Sequence, residues 1–352
     1  MKLLRKALPL FVLMLSLNGI AFATEYKLTG RDVQNLPEWP VTISAYGGKL
    51  LLSDSPEMVP GDGITYQDTV SGDFRIFFHH VNDTKEPKKI VVLLENPGDY
   101  PANITVLRYG LGGPSSDYLR VGKDAQLQYL QNNNLYLVEV AGHDSKLLDF
   151  NLGQMIVEPG MLVNGIYDIQ SDQPVTVKVM MLPVAEDFAS FADKARILPA
   201  DEHRLRGTFD GKDRLVIGNK AYTSKAGPVA VTLADPQLNH YVSGIDATDG
   251  SDVLNYGNYG IVYKLFLPTV HNDKIAYYLN PRGGVYAGGI GVKYRHQYES
   301  VLETPAGQLY FGENKITDFE HLGTFAGGQS VWLTFSPPGA SNLPVKVVVG
   351  PE

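Results

Sequence analysis

Residues 255–294 read NYGNYGIVYKLFLPTVHNDKIAYYLNPRGGVYAGGIGVKY, the part of the chain densest in tyrosine, glycine and two-residue alternation. Ile261, Tyr263, Leu265 and Leu267 alternate with Val262, Lys264 and Phe266, and beyond His271-Asn272-Asp273 the residues Ile275, Tyr277 and Leu279 alternate again. Successive strand residues face opposite sides, so the pattern predicts two half-buried antiparallel strands closed into one hairpin. Its ends, NYGNYG and NPRGG, are rich in Gly and Asn, which supply turns and positive φ.

Working outward, the same signals recur on both sides. Downstream, Val331, Leu333 and Phe335 alternate with Trp332 and Thr334, and LPVKVVVG follows the turn PPGASN as the second of a terminal pair. Upstream, residues 74–81 (FRIFFHHV) and Ile90 to Leu94 read as strands, with NDTKEP and NPGDYP as turns, and residues 26–60 read as an extended leader. Two segments break the strand pattern. Residues 115–131 open with Ser and Asp and place Tyr118, Val121, Ala125 and Tyr129 at near-helical spacing, which predicts an inserted helix. Asp187 caps a second, short amphipathic helix with Phe188, Phe191, Ala192 and Ala195 on one face, expected to pack between domains.

The chain has 352 residues, 36 Gly, 22 Pro, 20 Tyr and no Cys. This length exceeds what one core usually supports, and many short strands joined by tight turns fit an all-β sandwich class. The expected organisation is a signal peptide over 1–23, an immunoglobulin-like β-sandwich over 24–185, a helical connector over 186–206 and a jelly-roll-like β-sandwich over 207–352. Lys2, Arg5 and Lys6 precede the apolar run Ala7 to Leu17, and Ala21-Phe22-Ala23 forms the cleavage pattern, so the expected mature chain begins at Thr24 and is secreted or held at the cell envelope. The segment 1–23 holds three of the 30 basic residues and none of the 38 acidic ones, leaving a balance of −11. An acidic surface argues against nucleic acid as a partner, and the absence of Cys excludes disulfides and thiolate metal sites. No second apolar run reaches membrane length.

Chemistry-bearing candidates are few. The motifs G-x-S-x-G, S-x-x-K, H-E-x-x-H and the P-loop are absent. His79 and His80 are adjacent on a predicted strand and face opposite ways, one expected at the core edge and the other in solvent. Asp201, Glu202 and His203 read as a solvated linker pairing with Arg204 or Arg206 at the surface. Asp246, Asp249 and Asp252, in DATDGSD, place three carboxylates in one loop, a hard-oxygen cluster of the kind Ca²⁺ prefers, although an Asx-rich turn explains the same residues. No other cofactor is expected. Tyr256, Tyr259, Asn280, Arg282 and Tyr286 suit stacking on sugar or peptide groups with directed hydrogen bonds, while the plainer reading buries the rings and leaves the hydroxyls wet.

The runs DFRIFFHHVNDT, ENPGDYPANITV, GPSSDYLRVGK, VEPGMLVNGIYDIQSDQPVTV, NYGNYGIVYKLFLP and LNPRGGVYAGGI together resemble a family of exported proteins of Gram-positive-type bacteria. Some of its members carry an appended copper amine oxidase N-terminal-like domain, and no such module is expected here. The resemblance implies secretion and transfers no catalytic residue. The eight His are scattered, unlike the clustered set a copper site needs. The expected function is a non-catalytic exported binding protein with carbohydrate or cell-wall polymer as partner; the alternatives are an extracellular hydrolase of glycan or peptide and a purely structural envelope protein.

Overall fold

The computed structural model describes residues 32–131, 135–271, 273–295, 297, 299–312 and 318–352. The expected signal peptide lies outside the described residues. In chain order the elements are β1 (Val41–Tyr46), β2 (Lys49–Ser53), β3 (Met58–Val59), β4 (Gly63–Asn82), β5 (Lys88–Glu95), β6 (Ala102–Ser115) and helix α1 (Tyr118–Gln131). Then come β7 (Tyr136–Val140), β8 (Ser145–Leu147), helix α2 (Phe150–Gln154), β9 (Leu162–Pro183) and helix α3 (Phe188–Ala192). The second half holds β10 (Arg206–Asp210), β11 (Asp213–Gly218), β12 (Val229–Leu233), β13 (Val242–Asp246), β14 (Ser251–Asn255), β15 (Val262–Phe266) and β16 (Lys274–Asn280). It ends with β17 (Gly288–Tyr294), β18 (Ser300–Thr304), β19 (Glu320–Ala326), β20 (Val331–Phe335) and β21 (Val345–Pro351). The chain is an all-β sandwich protein with three sheets and three short helices.

The first layers are made from one ribbon folded on itself. β4 and β9 pair along nearly their whole lengths, with a bulge between Val70 and Gly72. On one side of that break β9 pairs with β5, and on the other with β6. A bulge locally bends and twists a strand, so the ribbon becomes two facing layers. Their inner faces share one apolar cluster that includes Phe74, Ile76, Phe78, Val92, Leu94, Tyr167 and Val177.

In the second half a six-stranded sheet, β1-β11-β15-β20-β17-β18, lies over a four-stranded sheet, β12-β21-β16-β19. The hairpin expected from Ile261–Leu267 and Ile275–Leu279 does not form. β15 is flanked by β11 and β20 in the larger sheet, and β16 by β19 and β21 in the smaller one. The link between them crosses the roughly 10 Å that separates packed sheets, and Tyr222 holds the crossing, donating from its N–H to Pro268 O at 2.7 Å and accepting from Val270 N at 2.9 Å. The terminal pair β20 and β21 divides between the layers in the same way. Alternation specifies which face is apolar but not which strand lies alongside.

The leader is part of the sandwich. β1 pairs with β11, and β2 pairs with both β4 and β10, so a hydrogen-bond ladder crosses the 206/207 boundary. In β2, Leu50 and Leu52 enter the second-half core while Leu51 enters the first. A strand with a core on each side explains why three leucines run together.

The α1 helix forms as the spacing predicts, with Asp117 Oδ1 accepting from Arg120 N at 3.1 Å. It sits where the halves meet. A Cβ at Gly110 or Gly112 would stand 2.0 Å from Ala125 O or 2.1 Å from Val121 O, so glycine is what lets the helix lie against β6. On its other side Lys123 donates to Gln308 O at 2.9 Å, and Gln126 donates to Ser336 O and accepts from Gly289 N. The α3 helix, expected between domains, instead packs Phe191 and Ala192 on Ile64, Val91, Leu93, Met180 and Leu182, because β5 and β9 present a second apolar face there.

A buried ionic seam joins the halves. Arg75 Nε lies 2.7 Å from Asp168 Oδ1 and its Nη2 lies 2.9 Å from Asp213 Oδ1. Its Nη1 donates to Lys212 O and Gly260 O, while Tyr129 of α1 donates to Asp168 Oδ2 at 2.7 Å. The Lys212 ammonium meets both Asp73 and Asp168.

Candidate functional site

The NYGNYG turn is built by its asparagines. Asn255 exchanges hydrogen bonds with the Tyr259 backbone, through Oδ1 to N at 2.9 Å and Nδ2 to O at 2.8 Å. Asn258, at φ 52°, accepts from Val242 N and donates to the Tyr263 hydroxyl. This clamped turn sends its two tyrosines in opposite directions. Tyr256 is 53% exposed and meets Tyr241 edge-on, with centroids 5.9 Å apart. Tyr259 points inward, lies 6.2 Å from the Phe77 ring and donates its hydroxyl to Ser341 O; burial pushes that hydroxyl's pKa up.

The NPRGG end contributes mainly to packing. Tyr286 is fully buried, edge-on to Phe311 at 5.9 Å and stacked near Phe335 at 6.5 Å. Asn280 is buried and donates to Asp318 O, and Arg282 is half-buried. The loop after β20 ties both ends together, since Ser341 takes the Tyr259 hydroxyl on its carbonyl and exchanges hydrogen bonds between its Oγ and the Ala287 backbone. Of the five residues read as one binding face, Tyr256 is the one whose ring lies open to solvent.

The three carboxylates do not converge. Asp246 is fully buried beneath Arg206, whose Nε lies 2.7 Å from Oδ2. Arg206 also donates to Thr248 Oγ1 and Leu198 O, so it is a buried anchor and not the surface partner expected. Asp249 pairs with Arg204 at 2.8 Å and accepts from Ser251; those hydrogen bonds hold its carboxyl well below the usual range. In the β13–β14 register Asp246 lies opposite Ser251, so Asp252, one residue on, faces the other side of the sheet. Among the described residues no group of three or more His, Asp or Glu is placed to hold a metal ion.

Around Tyr256 an open cleft of about 260 Å³ lies between the connector and β14, lined by Glu202, His203, Arg204, Asp252, Leu254 and Tyr256. The connector wall is fixed by Asp201, which accepts from Ser55 Oγ, Glu57 N, His203 N and Arg204 N. Burial alone would raise the Asp201 carboxyl, but these donors outweigh it and hold the pKa below the ordinary value. The cleft thus combines an exposed ring with ionic side chains on a braced wall. The sequence reading had the connector as a solvated linker and missed Tyr241; DEHRLR at 201–206 and the NYGNYG turn at 255–260 are far apart in the chain and carry no local sign that the two meet.

His79 and His80 are both buried, so neither lies in solvent as expected. β2 covers the end of β4, which puts Ser53 Oγ 2.8 Å from His80 Nε2, while His80 Nδ1 lies 2.9 Å from Pro56 O. A serine beside a histidine is the start of nucleophilic chemistry, but both side chains are sealed and the third partner is a peptide carbonyl where a triad places a carboxylate. Burial pushes the two rings down, His79 to about 3 and His80 to about 4.

No protein-family model matches the chain, and no curated protein does. Among solved structures, the crystal structure of vicilin from Solanum lycopersicum (tomato) is similar at 10% identity over 85% of each chain, with a TM-score of 0.12. No helix of the described residues is long and apolar enough to cross a membrane.

Proposed function

We propose that the chain is a non-catalytic, exported binding protein of the cell envelope or the extracellular space, and that it holds a polysaccharide or cell-wall polymer at the Tyr256 cleft. The observation that carries this reading is the solvent-facing Tyr256 ring in a cleft that Glu202, Arg204 and Asp252 also line. An exposed aromatic face stacks on the apolar side of a sugar ring, and charged groups beside it take the hydroxyls. The braced loops on both walls support it further, since a pre-formed site spends less ordering entropy on binding. Against hydrolysis stands the sealed Ser53–His80 pair.

Retention of residues 24–352 on insoluble peptidoglycan and common polysaccharides tests the reading. The wild-type chain is retained on at least one polymer and Tyr256→Ala is not. Equal retention of the two proteins, or none of the wild type on any polymer, overturns the reading.

A further inference from the structure

The outer face of the six-stranded sheet carries a row of side chains running across the strands. In register from strand to strand, Ile217 of β11 stands beside Phe266 of β15, Phe266 beside Trp332 of β20, and Trp332 beside Lys293 of β17. Neighbouring strands are about 4.8 Å apart, so the row spans roughly 14 Å. Its rings form a ledge: Phe266 and Trp332 stack with centroids 5.0 Å apart and planes 27° from parallel, both half-buried, and Ile217 extends the apolar strip at 38% exposure.

Beside this ledge lies a cleft of about 290 Å³ lined by Lys264, Lys293, Glu299, Trp332 and Thr334. Its floor is organised. Lys264 donates to Thr334 Oγ1 and lies 3.4 Å from Glu299, while Thr334 donates to the same carboxylate. Glycine at 291, opposite Thr334, leaves the room that Glu299 takes, because a Cβ there would stand 2.2 Å from Glu299 Oε1. The charges divide unequally: Lys264 is matched by Glu299, whereas Lys293 is exposed and meets no carboxylate among the described residues. On a chain whose net charge is negative, an apolar ledge thus ends in an unmatched ammonium.

We propose that this row is a second binding site, separate from the Tyr256 cleft, and that it takes an acidic polysaccharide whose sugar rings lie along Ile217, Phe266 and Trp332 while a carboxylate pairs with Lys293. A row at right angles to the strands offers one contact per strand, the arrangement that suits a linear repeating polymer. Charge complementarity selects the carboxylate-bearing polymer over a neutral one.

Affinity electrophoresis of the full chain through sodium polygalacturonate and, in parallel, through a neutral hydroxyethylcellulose gel tests the proposal, with light scattering to report molar mass. Polygalacturonate retards the wild type and the neutral polymer does not. Trp332→Ala and Lys293→Glu each weaken retardation about tenfold or more, and Trp332→Phe keeps most of it. Lys293 is exposed, so its variant tests the site even if Trp332→Ala loses the fold. Absence of retardation, equal retardation by the neutral polymer, or an unaffected Lys293→Glu variant overturns the proposal. A fall in molar mass on Trp332→Ala also overturns it, by assigning the face to contact between copies. Loss of polygalacturonate binding in Tyr256→Ala alone would return all binding to the first cleft.

Discussion

Arg75 Nε and Asp168 Oδ1 stand 2.7 Å apart in the interior between the two halves, each with a further ionic partner from the other side. Burial alone would raise the Asp168 carboxyl, but Arg75 and Lys212 hold it down at about 2. A carboxyl with a depressed folded pKa stabilises the fold above its unfolded value, near 3.9, and that contribution disappears as pH falls through the folded one. Replacing Asp168 with Asn leaves a buried guanidinium short of a partner. The expected loss is about 3–5 kcal/mol, read from denaturant unfolding at pH 7. An Asp168→Asn chain as stable as the wild type would show that Asp213 alone satisfies Arg75.

The two buried histidines set a second pH dependence at higher pH. Their folded pKa values, about 3 and about 4, lie below the unfolded value near 6.5, so the unfolded chain takes up protons first. Stability from their neutral forms is complete above pH 6.5 and is lost as pH falls toward 4. For His80 alone the loss between pH 6.5 and 4.5 is roughly 2–3 kcal/mol. Asp54 acts in the opposite sense: burial raises its carboxyl well above the ordinary value, so it opposes folding as pH rises. Urea midpoints at pH 7 and 4.5 for wild type and His80→Gln check this, the variant losing less on acidification.

Tyr256 and Tyr286 should respond in contrary ways to the same truncation. Tyr286→Ala opens a cavity beside Phe311 and Phe335 and should cost about 3–5 kcal/mol. Tyr256→Ala, at an exposed position, should stay within about 0.5 kcal/mol of wild type. Thermal unfolding of both variants settles the comparison. A Tyr256 variant that also unfolds early could no longer report on binding alone.

Calcium should leave the unfolding temperature where it is. A ligand stabilises a fold only by binding it, and Asp246 and Asp249 already face Arg206 and Arg204. Scanning calorimetry in millimolar Ca²⁺ and in chelator should superimpose. A rise with Ca²⁺ that Asp249→Asn abolishes would restore the loop as a metal site.

How far these features are visible in the sequence depends on how local their causes are. The α1 helix was legible because Asp117 and the spacing of Val121, Ala125 and Tyr129 lie within one segment. The strands at Ile261–Leu267 and Ile275–Leu279 were legible as strands, yet their partners come from residues about forty or more positions away and leave no local mark. Tyr256 and Tyr259 sit in identical words, NYG and NYG, and the groups that receive the second ring, Phe77 and Ser341, lie far along the chain. Trp332 was within reach: Leu333 and Phe335 alternate with it toward the core, so its ring had to face outward.

β2 gives Leu50 and Leu52 to one core and Leu51 to the other, and its neighbour β1 has β11 as its ladder partner. A chain made from its N-terminus therefore carries its earliest strands unfinished until residues 206–218 exist to receive them. Cutting the gene near residue 200 would leave Leu50 and Leu52 without their core and β2 with an open strand edge, the material of aggregation.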